Sequence, residues 1–133
     1  MSEGFKLEIL NPEKSFLSKD GVSEVVVPAF EGDMGILKDH ISIISFLKPG
    51  LVKVFESDSN QETYYIEDGI IEFKNNCLSI LTSNIFDIKK IGKNIVRDIL
   101  VKAEEESKNT NVSDQTKYLL DQKIEVLKSL SLN

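Results

Sequence analysis

All three prolines and six of the seven glycines of this chain lie before residue 70; only Gly92 follows. Helix interiors do not tolerate that density of breakers, because proline removes an amide donor and glycine loosens the backbone. Residues 1–86 are therefore expected to form short extended segments joined by turns, and residues 87–133 are free to form helices. The chain has 133 residues, enough for one ordinary domain or a small domain with an appendage.

The first part alternates as strands do. In "FKLEI", Phe5, Leu7 and Ile9 share one face. "SEVVVP" is β-branched and is expected to stop at Pro28, which has no N–H for a ladder. "SIISFL", "LVKVF", "TYYIE", "IIEF" and "CLSIL" follow, separated by "KPG", "SDSNQ", "EDG" and "KNN". Short strands with regular turn signals predict an all-β sandwich or barrel. "EDG" at 67–69 and "KNN" at 74–76 read as tight hairpin turns, since Gly and Asn accept positive φ.

From about Ile88 the period lengthens. Ile88, Ile91, Ile95, Ile99 and Ala103 are spaced three or four residues apart, the mark of one helical stripe. "EEESKNTN" interrupts it, and Ser113 with Asp114 supplies an N-cap and an acidic first turn. Leu120, Ile124, Leu127 and Leu130 make a second stripe. Two such helices with a short polar loop predict an antiparallel hairpin that must lean on something to be stable. The predicted division is 1–86 for the β unit and 87–133 for the hairpin.

Charge follows the same division. Residues 87–133 carry nine basic and eight acidic groups; of the chain's 16 and 22, that leaves seven and fourteen for residues 1–86. An acidic β unit is a poor match for nucleic acid, whose binding needs clustered Lys and Arg. No apolar run approaches the ~20 residues of a membrane span. "MSEGFKLEIL" lacks the basic start and apolar stretch of a signal peptide, so a cytosolic chain is expected, held at a membrane only by other proteins. One cysteine, Cys77, excludes an internal disulfide framework.

Catalytic constellations are sparse. There is no Gly-rich phosphate loop and no dinucleotide fingerprint. His40 and Cys77 are the only residues of their types, too few soft ligands for a zinc site and a weak basis for a nucleophile pair. Cys77 reads as a small strand residue, and His40 as a loop residue bonding locally or at an interface. Glu67–Asp68 reads as a turn and Glu104–Glu106 as a solvated helix end. Glu31 and Asp33 differ, because they flank Gly32 and precede Gly35 in what reads as a binding loop. Beside them, Met34, Ile36 and Leu37 either begin a strand and point inward or are covered by a partner.

"VPAFEGDMGILKDHISIISFLKPGLVKV" resembles the signature of the epsilon-subunit family of the rotary ATP synthase, called delta in mitochondria. The residues that carry the likeness are Val27, Glu31, Gly32, Asp33, Met34, Gly35, Ile36, His40, Ile43, Ile44, Leu47, Lys48, Pro49 and Gly50. "YYIEDGIIEFKNNCLSIL" is similar to the family's next block, with Asp68 in place of the first of two glycines. The resemblance implies a ten-stranded β-sandwich followed by a helical hairpin, and no catalysis, cofactor or metal. It implies a rotor subunit in the central stalk of a proton-translocating synthase, at the cytoplasmic side of the bacterial inner membrane. Its partners would be gamma and the c-ring, and through the hairpin the alpha and beta subunits, with inhibition of ATP hydrolysis as the hairpin's role. Glu31, Asp33, Met34, Gly35, Ile36 and His40 become the candidates for contact with the c-ring and gamma.

Two departures stand out. Lys38-Asp39 replaces the family's Pro-Gly before the histidine, which changes local backbone and charge. The nucleotide motif of some members, Ile/Leu-Asp-x-x-Arg-Ala, meets Gly92 and Ile95 at its Asp and Arg positions, so weak or absent ATP binding is expected. Gly92 is also expected to weaken its helix by about 1 kcal/mol relative to Ala. The residues alone leave two other readings open: a stand-alone small-molecule sandwich or enzyme using His40, and a generic adaptor.

Overall fold

The computed structural model describes residues 4–56, 60–109 and 111–131; Ser57, Asp58 and Ser59 of the expected "SDSNQ" turn and Thr110 of the interhelical loop lie outside them. Its strands are β1 (Phe5–Asn11), β2 (Lys14–Ala29), β3 (Gly32–Leu37), β4 (Ile43–Leu47), β5 (Gly50–Glu56), β6 (Gln61–Ile66), β7 (Gly69–Lys74), β8 (Cys77–Leu81) and β9 (Ile85–Asp87). Two helices follow, α1 (Lys93–Ser107) and α2 (Asp114–Ser131). The β-sandwich with a C-terminal helical hairpin is thus present, with nine strands where the resemblance implied ten.

The difference lies in β2. It has 16 residues and begins well before "SEVVVP". Its first half pairs with β1, and its second half with β3 and β5. Gly21, at φ 70, sits where the strand passes from one layer to the other. One layer orders the first half of β2, then β1, β8, β7 and β4; the other orders β3, the second half of β2, β5, β6 and β9. Counted once in each layer, β2 brings the segments to ten. The strand also runs through Pro28 instead of stopping there. Proline has no N–H to give, but its carbonyl still accepts one, from the Lys48 amide at 3.0 Å.

The core lies between the layers and is built by the predicted alternation. Leu7, Ile9, Val25, Ile36, Phe73 and Ile80 belong to a single cluster of buried residues. Phe5 meets Phe73 edge-on at 5.5 Å. Cys77 is half-buried on β8. The "KNN" hairpin joins β7 to β8 with Asn75 at φ 52 and Asn76 at φ 54. "EDG" is not a hairpin: β6 pairs with β5 and β9, and β7 with β4 and β8, so residues 67–69 cross between layers. A turn-forming triplet specifies a reversal, not which strands then pair.

The helical stripe also shifts. α1 begins at Lys93, so Ile88 and Ile91 precede it, and its buried residues are Val96 and Ala103. Ile95 is 47% exposed. Ile99 packs on the buried cluster and Ala103 is buried, as the stripe predicts, so the change is confined to the first turn, where Val96 takes the buried place expected of Ile95. Gly92 occupies the N-cap position of α1, outside the helix interior. Its cost there is a few tenths of a kcal/mol against a polar cap, less than the ~1 kcal/mol of an interior glycine. α2 starts as expected, with Ser113 Oγ accepting the Thr116 amide at 3.1 Å.

Candidate functional site

Glu31 lies in the two-residue turn between β2 and β3 and is exposed. Gly32 follows at φ 130, a backbone that a side chain would strain. Asp33, Met34, Gly35 and Ile36 lie on β3, an edge strand paired with β2, not in a loop. Alternation then divides them. Ile36 is fully buried and Met34 packs against the core, so Ile36 offers no side chain to a partner. Asp33 and Gly35 face outward. The missing Cβ of Gly35 makes room for Glu24, whose Oε2 would lie 2.8 Å from it. Leu37 is exposed.

His40 is at the other end of β3. Its amide donates to the Leu37 carbonyl at 3.1 Å, and its Nδ1 donates to the Ile41 carbonyl at 2.8 Å. The ring meets Phe73 edge-on at 5.9 Å. The histidine is thus bonded locally, as one of the two sequence readings had it. The six residues of β3 separate the Glu31 turn from His40 by roughly 20 Å at ~3.3 Å per residue. The candidate residues do not converge on one point.

Beside the Glu31 end lies a surface that the sequence reading does not single out. β4 carries Ile44 and Phe46 outward, 68% and 63% exposed. Phe46 pairs with Ile70 on β7, and Ile70 with Leu81 on β8. These three form an apolar row across the outer face of one layer, each at least 40% exposed. The row borders an open groove of ≈ 1440 Å³ whose walls include Phe30, Glu31, Asp33 and Met34. His40 is not among its walls. The signal was present in "IISFL": four of five residues are apolar, so both faces of that strand are.

The outer face of the second layer has its own apolar row. Leu51 of β5 pairs with Tyr65 of β6, and Tyr65 with Phe86 of β9. Here the helical hairpin covers it: Tyr65, Val96 and Leu127 are buried together, with Ile88, Ile91, Ile99 and Leu130 packed around them. At its margin Lys123 of α2 pairs with Glu67 at 2.5 Å, both side chains mostly buried. Asn84 Nδ2 donates to the same carboxylate at 3.0 Å. The Tyr65 hydroxyl also points to it, at 3.4 Å. Burial first, and the Glu67 charge second, push the Tyr65 hydroxyl well above the ordinary tyrosine pKa. Asp68 accepts from the Ser83 amide at 3.0 Å and from its hydroxyl at 2.8 Å. Of the acidic pair that reads as a turn, Asp68 stays exposed while tying residues 67–69 to Ser83, and Glu67 is drawn under the hairpin by Lys123.

No group of three or more His, Cys, Asp or Glu that could hold a metal ion is present among the described residues. No helix among them is long and apolar enough to cross a membrane.

Residues 4–88 match the model of a family described as ATP synthase, Delta/Epsilon chain, beta-sandwich domain. Over 131 residues, 98% of this chain and 100% of the relative, the sequence is 68% identical to a Pelagibacter ubique protein named ATP synthase epsilon chain. A Propionigenium modestum protein named ATP synthase epsilon chain, sodium ion specific, is 31% identical over 109 residues, covering 77% of this chain and 78% of the relative. The fold is similar to a chain in the cryo-EM structure of the Euglena gracilis mitochondrial ATP synthase, OSCP/F1/c-ring, at TM-score 0.76 and 18% identity, over 97% of this chain and 80% of that one.

Proposed function

The chain belongs to the ATP synthase delta/epsilon family, and from that premise we propose that it couples c-ring rotation to the catalytic head by gripping the gamma subunit. It is a non-catalytic subunit of the central stalk, and its partners are gamma and the c-ring. The observation that carries the coupling role is the bare row Phe46–Ile70–Leu81 beside the Glu31 turn. Exposed, contiguous apolar side chains on a rigid sheet are costly in water and suited to a stable protein contact. Gamma is assigned to that row. The c-ring is assigned to the turn end, where Glu31 and Asp33 offer charge to polar loops and Met34 lies close by.

In this reading residues 1–86 are the partner-binding unit and residues 87–133 a regulatory one, at the cytoplasmic side of the bacterial inner membrane. The hairpin restrains ATP hydrolysis when it leaves the sheet for the alpha and beta subunits. What supports this is the small cluster of buried residues under it and the single ion pair, Lys123–Glu67, that ties α2 to the sheet among the described residues. ATP is a poor ligand, because Gly92 and Ile95 bring no group for phosphate or adenine; calorimetry at millimolar ATP is expected to show no saturable heat.

The test is binding of the full chain to an assembled alpha–beta–gamma complex. Wild type is expected to bind and Ile70→Asp to lose binding. A wild type that does not bind, or an Ile70→Asp chain that binds as well, removes the coupling role. Deleting residues 113–133 is expected to raise ATP hydrolysis by the reconstituted complex; unchanged hydrolysis removes the restraint.

A further inference from the structure

The loop from residue 38 to residue 42, between β3 and β4, carries His40 and the most exposed large apolar side chain described, Ile41 at 76%. A loop of this kind is ordinarily mobile. This one is pinned. Asp39 has φ 66 and Asn76, in the β7–β8 hairpin, has φ 54. The Asp39 amide donates to Asn76 Oδ1 at 2.7 Å, and Asn76 Nδ2 donates back to Asp39 Oδ1 at 2.9 Å. The Asn76 carbonyl in turn accepts the Lys6 amide at 3.0 Å, which fastens the hairpin to β1. On the other side of Asp39, the His40 amide closes a turn onto Leu37, and its ring rests on buried Phe73.

We infer that the reciprocal Asp39–Asn76 pair is a positioning clasp: it holds the His40–Ile41 loop ready as a second contact at the far end of the bare sheet face, against the same partner that covers Phe46–Ile70–Leu81. This rests on the gamma-binding reading above. Asp39 holds a left-handed backbone of the kind glycine adopts freely. Asp is one of the few side chains that accept that conformation, because its short carboxylate bonds locally. Here the carboxylate bonds Asn76, so the turn is held by a side chain from a distant hairpin. A contact presented in its bound shape loses less entropy on association than one that must first be ordered.

The variants that test this are Asp39→Gly and Asn76→Gly. Asp39→Gly removes one of the two hydrogen bonds and Asn76→Gly removes both; each keeps a residue that accepts positive φ, so the sandwich is expected to fold. Amide exchange on the free chain is expected to quicken at residues 38–42 with the rest of β3 and β4 unchanged. Binding to the assembled alpha–beta–gamma complex is expected to weaken about threefold to tenfold, with the double variant no weaker than Asn76→Gly alone. If the wild type does not bind the complex, the gamma reading fails and this inference with it. If the wild type binds, and the variants bind equally well or their loop exchange does not change, the clasp alone is overturned.

Discussion

Two cross-strand apolar rows, on the outer faces of opposite layers, differ in one respect: Leu51–Tyr65–Phe86 is covered by the helical hairpin and Phe46–Ile70–Leu81 is bare. Tyr65 is fully buried, and Phe46 is 63% exposed. Both rows sit on strands whose inner faces fill the same core, so the sandwich does not need either row for its own cohesion. The chain supplies a cover for one and leaves the other open. The covered row binds the chain's own tail. The bare row has no cover within the described residues and is the face assigned to gamma in the proposed function.

If this comparison holds, substitutions in the two rows will report on different equilibria. The largest effect is expected at Tyr65→Ala, which removes the centre of the covered row and its stacking on Phe86. A loss of about 3–5 kcal/mol is expected for a fully buried aromatic, appearing as early release of the hairpin in amide exchange and a lower thermal midpoint. Phe46→Ala is next. It is expected to cost about 2 kcal/mol of binding to the assembled complex, read by titration, while the thermal midpoint corresponds to a stability change within about 0.5 kcal/mol. The reverse pattern, with Phe46 destabilising and Tyr65 silent, would break the comparison outright.

Lys123→Met sharpens the boundary between covered and open. It leaves Glu67 partly buried without its cation, and about 1 kcal/mol of hairpin docking is expected to go, seen as faster exchange in α2 with β6 unchanged. The smallest effect is expected from Gly92→Asp. Gly92 has open space for a side chain, and α1 has no side-chain cap and no acidic residue in its first turn. A carboxylate there is expected to add about 0.5 kcal/mol to helix stability, measured as slower exchange at the start of α1.

The elements were largely legible because their signals are local. The alternation of "FKLEI", the Asn75–Asn76 turn and the Ser113 cap each depend on neighbours within a few residues. Flanking glycines make Glu31 and Asp33 read as one loop; Glu31 does lie in the turn, but Asp33 is on β3, which forms by pairing with β2. Their separation from His40 follows from that strand and leaves no trace in their spacing. Glu67 reads only as part of a turn; its partner Lys123 lies far along the chain, on a helix whose docking no short window reports.

The amino-acid order by itself determined where strands give way to helices, which side chains fill the sandwich and where the β7–β8 hairpin reverses, since periodicity and turn chemistry act over one or two turns of chain. Only the tertiary structure decided that β2 serves both layers, that residues 67–69 cross between them, that Asp39 is clasped by Asn76 and that one outer apolar row is covered while the other is bare. A pattern of apolar residues states that burial is favourable. What they are buried against depends on which distant segments arrive, and that is settled by the packing of the whole chain.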